Sequence, residues 1–241
     1  MNLRNRRALI GAYQESNPYT WEKLFAAIDN GTYASKYALG DLFPLDLGTG
    51  GVLNMQIVAF NTDTIAGTTD KAPVTLISKE LYKTNHSFNP AYVSGTVGTG
   101  SIGGYAESAL KAYVDSTIVP LIPQNVANRI LTVSKTTMIY DTSDTRIRGN
   151  QTNETVTVPS HREMFGDTAA EQSGIYYSSF FNSDDARKKA KAGGSNTEYW
   201  TRSAASTSNI YIVTNAGAST YRVSTLSIPF PILFCVGIAS S

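Results

Sequence analysis

Apolar residues first recur at helical spacing between Trp21 and Asn30, where Trp21, Leu24, Phe25 and Ile28 form one stripe. Thr20 stands at the N-cap position and Gly31 suits the position after the last turn, so the spacing predicts a helix over 21–30. From Tyr37 to Phe60 the pattern changes to strands, at 38–42 and 55–60, with Gly48-Thr-Gly-Gly51 as a hairpin turn and a further strand at 74–77. The stretch 94–104 holds five glycines but no following Lys-Ser/Thr and no clean preceding strand. It therefore reads as a flexible surface loop and not as a phosphate cradle. A second helix is predicted over 105–117, with Tyr105, Ala109, Leu110 and Val114 inward, broken by Pro120 and Pro123, and a shorter one over 125–130.

Strands follow at 131–134 and 137–140, and the polar run 142–153 reads as a long loop. Residues 155–158 alternate as a strand, and Ser160-His-Arg-Glu163 is a capping-box signature for a short helix. Another helix opens at Ser183-Asp-Asp-Ala186 and ends near Gly193-Gly194. The last quarter alternates most regularly: strands at 198–202, 209–214 and 220–223, a tight turn at Asn215-Ala-Gly217, and a buried strand within 232–238. Helices first and a strand meander last predict an α+β fold. Residues 1–18 form a basic arm ending in the turn-like Ser16-Asn17-Pro18, and 19–241 read as a single domain without internal repeat or linker.

Composition narrows the function more than the fold. Of 241 residues 41% are hydrophobic but only 16% are charged, so Ser, Thr, Asn, Gly and Tyr must supply much of the surface, as they do in adaptable contact surfaces. The formal net charge of +1 provides no field for nucleic acid or anionic membranes. Basic residues cluster at Arg4, Arg6 and Arg7, and again at Arg187, Lys188, Lys189 and Lys191, where a solvated helix face explains them. The most apolar segment, 228–239, is too short to span a bilayer and contains Pro229 and Pro231. No signal peptide is visible, so triplets such as Asn153-Glu-Thr155 carry no weight as glycosylation sites.

Candidate chemistry is sparse. His86 lies in a turn-like tripeptide and His161 in the first turn of a capped helix, and neither has metal-ligand spacing. Asp184 and Asp185 suit a helix N-terminus, and Asp141 and Asp144 flank a loop without the spacing of a calcium site. Cys235 is the single cysteine and sits in an apolar run, which excludes an internal disulfide or a cysteine zinc cluster. No Gly-x-Ser-x-Gly elbow is present. The expectation is a binding module with no catalytic residues, no metal and no cofactor.

Several segments, in order, resemble a domain family of unknown function widespread in Firmicutes and their phages. They are the Trp21 helix with Gly31 and Tyr37-Ala-Leu-Gly40-Asp41, then Ile57-Val-Ala-Phe60, Gly103-Gly104-Tyr105-Ala-Glu-Ser108-Ala-Leu110, and Ile130-Leu-Thr-Val133-Ser-Lys135. Val158-Pro-Ser160-His-Arg-Glu163-Met-Phe165-Gly166 follows, and the hallmark Trp-x-Arg-Ser appears as Trp200-Thr-Arg202-Ser203. Val213-Thr-Asn-Ala-Gly217 and Pro231-Ile-Leu-Phe234 close the series, with Ala204 for the family's Pro and Phe230 for its Arg.

The family in turn resembles C-type-lectin-like domains of phage receptor-binding proteins diversified by retroelements. That resemblance implies a lectin-like domain in a phage virion surface protein, such as a tail, fibre or head-attached adhesin, assembled in the bacterial cytoplasm. It implies contact with a host glycan or surface protein through 203–227, with Ser206, Ser208, Asn209, Tyr211, Asn215, Ser219, Tyr221 and Ser224 exposed. Calcium-dependent sugar motifs are absent, so no cofactor is expected. Arg4, Arg6 and Arg7 would dock the chain to other virion proteins, and avidity favours a homo-oligomer, taken as a trimer. The alternative is a decoration or collar protein with no receptor-binding role. The related formylglycine-generating chemistry needs paired cysteines, and Cys235 stands alone.

Overall fold

A computed structural model describes residues 17–167 and 171–238. The arm carrying Arg4, Arg6 and Arg7 lies outside the described residues. Helix α1 (Trp21–Asp29) is capped by the Thr20 side chain, which accepts the Lys23 N–H, and Leu24, Phe25 and Ile28 are buried as the stripe requires. Gly31 follows at φ +66, the left-handed conformation expected after the last turn. A one-turn helix α2 (Tyr33–Lys36) follows. The strand expected at 38–42 is a turn, because Gly40 takes φ +96 and the Asp41 carboxylate accepts the Ala38 N–H. The chain becomes extended only in β1 (Leu42–Asp46), which pairs antiparallel with β2 (Val52–Phe60) across a 3-10 turn at Gly48–Gly50.

Strand β2 pairs with β3 (Val74–Ser78), and β4 (His86–Ser87) comes next. The helical region 105–121 mixes windings: a 3-10 turn, α3 (Ala109–Tyr113), a π turn and a second 3-10 turn. Tyr105, Leu110, Val114 and Ile118 are its buried hydrophobic side chains. Helix α4 (Gln124–Ala127) leads to β5 (Ile130–Leu131) and β6 (Val133–Tyr140).

The run expected to be a loop at 142–153 is a nine-residue strand, β7 (Arg146–Glu154), paired antiparallel with β6. Its polar residues have no buried face to announce the pairing, so hydrophobic alternation could not reveal it. After β8 (Val156–Thr157), helix α5 (His161–Phe165) has the complete capping box, with Ser160 and Glu163 exchanging side-chain-to-backbone hydrogen bonds. Helix α6 (Asp184–Arg187) is shorter than expected, and the basic cluster around it is not a solvated face. Lys189 is buried and donates to the Ser78 carbonyl at 2.6 Å, while Arg187 bonds the carbonyls of Phe181 and Gly217.

The chain closes with β9 (Tyr199–Ala204), β10 (Asn209–Val213), β11 (Ser219–Val223), β12 (Ser227–Ile228) and β13 (Leu233–Val236). One sheet has the order β1-β2-β3-β13-β5, with β8 also on β13; β9, β10 and β11 form a separate antiparallel sheet, and the β6–β7 and β4–β12 pairs stand apart. Helices and antiparallel sheets together make an α+β fold. Strand β13 is apolar at every position because it divides two cores. Phe234 and Val236 pack with α1, whereas Leu233 joins Met164, Phe181 and Tyr199 on the other side. Buried side chains of this size contribute roughly 1.5–3 kcal/mol each, which makes β13 a main stabilising element.

Candidate functional site

Two groups of polar residues could serve a function, one inside and one outside. The inner group centres on Lys135 of β6, whose Nζ donates to Asp63 Oδ1 (2.5 Å), Tyr177 OH (2.8 Å) and Glu163 Oε1 (2.9 Å). Glu163 also takes a two-pronged contact from Arg202 of β9, at 2.7 and 2.9 Å. Arg202 further donates to the carbonyls of Val158 and Thr136. A third carboxyl, Glu171, accepts from Ser203 Oγ and from Ser160 Oγ, and Thr75 Oγ1 donates to Asp63. Lys135, Asp63, Glu163 and Arg202 are all almost completely shielded from solvent.

Electrostatics fix the charges of this group. Burial alone would raise the Glu163 pKa, but Arg202 and Lys135 outweigh it and hold the carboxyl well below its ordinary range. Burial would lower Lys135, yet Asp63 and Glu163 keep it above the usual lysine value. Burial pushes Glu171 up, with Arg202 and the two serine hydroxyls only partly opposing. A recess of about 340 Å³ opens beside the pair, lined in part by Thr64, Thr136, Gln151 and Gly174. All three ammonium protons of Lys135 point at protein acceptors, so it presents neither a free donor nor a neutral amine there. The arrangement suits cross-linking of β6, α5 and β9 better than chemistry.

Five of these residues, Lys135, Ser160, Glu163, Arg202 and Ser203, belong to motifs singled out in the sequence, and the fold brings them together. Asp63, Glu171 and Tyr177 carried no sequence signal. Trp200, the head of the hallmark, is wholly buried and donates its indole N–H to the His86 carbonyl at 2.8 Å. The motifs thus mark the inside of the fold.

The outer group lies on the β10–β11 hairpin. Ile210 and Ile212 point into the core, so Asn209 and Tyr211 face the other way, and in register Ser219, Tyr221 and Val223 share that face. Tyr221 is 57% exposed and Val223 50%. Asn215 is exposed at the tip. Ser206, Ser208 and Asn209 are half-buried in the opposite turn, where Ser206 Oγ accepts from the Asn209 side chain and the Ser206 carbonyl accepts from Ser101 Oγ. Ser224, expected to be exposed, is completely buried: its N–H donates to the Ser208 carbonyl, and its own carbonyl accepts from Asn89. It closes the hairpin against the body and offers nothing to a ligand. The predicted residues therefore bracket a hairpin, with Tyr211, Ser219 and Tyr221 adjacent at its middle.

Two neighbouring elements complete this face. The glycine-rich stretch is a surface loop only in its first half: 94–97 are exposed, but Gly100, Ser101 and Ile102 are buried, and a Cβ on Gly100 (φ +56) would collide with the Thr207 carbonyl. From the other side His161 of α5 packs against Tyr211, ring centres 4.3 Å apart and planes tilted by 36°, and stacks on Phe165 at 4.8 Å. His161 is therefore a buried residue and not a surface one, and burial lowers its pKa to about 4. Its Nε2 is 2.6 Å from Ser219 Oγ, and its Nδ1 is 3.9 Å from Asp167 Oδ2. The order of groups is that of a serine-hydrolase relay. However, the second separation is too long for a hydrogen bond, so the carboxylate does not fix the imidazole tautomer.

The profile of the family described as "Domain of unknown function (DUF6273)" matches residues 74–229. The chain belongs to this family. No curated protein and no solved structure matches it. Among the described residues no His, Cys, Asp and Glu cluster could hold a metal ion, and no helix is long and apolar enough to cross a membrane. The DUF6273 match begins at β3 and ends just after β12, so it includes Lys135, Glu163, Arg202 and the whole β10–β11 hairpin.

Proposed function

We propose that the chain is a recognition module that performs no chemistry, and that it binds through the β10–β11 face around Tyr211, Ser219 and Tyr221. One observation carries this reading. Buried Lys135, Asp63, Glu163 and Arg202 are closed on one another, whereas Tyr221 and Val223 stand 57% and 50% exposed beside half-buried Tyr211. Large side chains exposed together on a rigid sheet give contact area at little entropic cost.

The finer reading is a phage virion surface protein, a tail, fibre or head-attached adhesin with a lectin-like domain. It would contact a host glycan or surface protein without a cofactor, act as a homo-oligomer such as a trimer, and dock to other virion proteins through Arg4, Arg6 and Arg7. The order of these motifs supports it, as does the Ser-, Thr- and Asn-rich composition of 203–227. Changing Tyr211 and Tyr221 together to Ala is expected to lower adsorption or glycan binding while the near-ultraviolet circular dichroism of the core persists. Unchanged binding by a folded double variant overturns the reading.

A purely structural role, as a decoration or collar protein, draws on a different feature. β11 is the edge strand of its sheet, so half its backbone groups face away from β10 and suit burial against a neighbouring subunit. Locating the hairpin in an assembled particle, outward or between subunits, separates the two.

A further inference from the structure

Three of the segments that resemble the family shape a recess that the inner group does not explain. In Tyr37-Ala-Leu-Gly40-Asp41, the Gly40 N–H donates to the Ile57 carbonyl at 2.9 Å, which sets the Leu39 turn against β2. In Ile57-Val-Ala-Phe60, β2 carries one residue more than β3 between the Ile57–Leu76 and Ala59–Thr75 pairs. Such a bulge bends the strand and re-aims its side chains, here those from Val58 onward. The third segment ends at Gly166, where φ is +70 and a Cβ would come within 2.7 Å of the Tyr176 ring. The ring therefore occupies space that only glycine leaves open. Its hydroxyl donates to the Phe181 carbonyl at 3.0 Å, so Tyr176 is held in place before any ligand arrives.

The recess measures about 380 Å³ and is lined by Leu39, Val58, Ala59, Phe60 and Tyr176. That volume falls within the range of about 300–1,000 Å³ that small-molecule sites occupy. Thr62, Ser178 and Ser179 add hydroxyls to the lining. Neither serine side chain has a hydrogen-bond partner among the described residues, and both serines are exposed. Tyr177 also lines the recess, but its hydroxyl is engaged within the inner group, accepting from Lys135 and donating to Asp63. No lining residue carries a charge.

Aromatic and aliphatic walls with hydroxyls and no charge suit a ligand that has an apolar face and a polar edge. A charged ligand would lose hydration there without gaining a counter-ion. A wholly apolar one would strip water from the serine hydroxyls and return no hydrogen bond. We infer that the recess is a separate binding site for a neutral sugar ring. The C–H face of the ring would lie against Phe60 and Tyr176, whose π faces are electron-rich, and its hydroxyls on Thr62, Ser178 and Ser179. The site shares no residue with the β10–β11 face and stands independently of the reading proposed for that face.

Amide chemical shifts of the full chain test it, in titrations with the methyl glycosides of glucose, galactose, mannose and N-acetylglucosamine. Cyclohexanol and glucuronate serve as the apolar and the charged control. At least one glycoside should shift the amides of 59–62 and 176–179, and bind about tenfold or more tighter than either control. Ser178→Ala with Ser179→Ala, both at exposed positions, should weaken that binding about fivefold or more. Tyr176→Leu should weaken it further, whereas Tyr211→Ala with Tyr221→Ala should leave it intact. If no glycoside binds, or if neither recess variant weakens binding, the inference falls. If cyclohexanol binds as tightly and the serine variant is unchanged, the recess takes any apolar ring and the sugar is overturned. If only the Tyr211 and Tyr221 variant abolishes binding, the sugar belongs to the β10–β11 face; recognition there stands and the separate site is overturned.

Discussion

Lys135 and Arg202 are as thoroughly buried as the core leucines, and each is closed by carboxylates; Arg146 and Arg148 lie on β7, outside the core, and meet none among the described residues. The same residue types therefore do different work in the two places. Inside, a charge can persist only where partners replace the water it has lost, and those partners come from α5 and the segment between β2 and β3, tying both to β6 and β9. Outside, water solvates the guanidinium, and a missing partner costs little. Buried charge here specifies the fold, and exposed unpaired charge is not needed for it.

The largest test of this contrast removes one inner partner. Glu163→Ala leaves Arg202 and Lys135 buried with too few acceptors, and breaking buried pairs of this kind costs on the order of 3–5 kcal/mol. Denaturant unfolding should show that loss, with Arg146→Ala changing stability by no more than about 0.5 kcal/mol, as expected of surface sites. A Glu163→Ala protein as stable as the parent would mean the network contributes little, and the division between inner and outer charge would collapse.

His161 stands at the boundary of the two regions and gives the next test. Its folded pKa of about 4 lies below the ordinary 6.5. The stability contributed by the neutral imidazole is therefore complete above pH 6.5 and is lost as pH falls toward 4. The change across that window is on the order of 3 kcal/mol. Glu163, also held below its ordinary value, loses its contribution only at lower pH, as its carboxyl protonates. Stability curves for the parent and His161→Gln should converge between pH 6.5 and 4. Parallel curves would show that His161 is not kept neutral by burial and that the Tyr211 face is wetter than its packing implies.

Much of the interior was legible in the sequence because burial imposes periodicity. The α1 stripe, the Ser160–Glu163 capping box, and strands β3, β10 and β13 follow from spacing alone. The motif residues Lys135, Glu163, Arg202 and Ser203 could be named from resemblance, but not their meeting, since 28 and 39 residues separate Glu163 from Lys135 and Arg202. Strand β7 escaped because both its faces are polar, and with it went Arg146 and Arg148. Ser224 was misplaced because alternation along β11 does not reveal where the strand dives back under the body. Asp63 and Glu171 had no local signature; only tertiary pairing defines them.

The smallest expected effect concerns Ser219. Its hydroxyl lies 2.6 Å from a neutral imidazole, so the first link of a hydrolytic relay is present. The second is not: His161 Nδ1 is buried without a hydrogen bond, and Asp167 is 3.9 Å away. Ser219 also lies on an edge strand and not on a strand-to-helix elbow, where a nucleophile is held in a sharp turn beside oxyanion donors. A fluorophosphonate probe should therefore leave Ser219 unlabelled, and Ser219→Ala should change probe uptake undetectably while altering ligand binding only slightly. Labelling that disappears in both Ser219→Ala and His161→Gln would move this face from recognition to catalysis. The exposed half of the molecule would then act chemically while its buried charges remain purely structural.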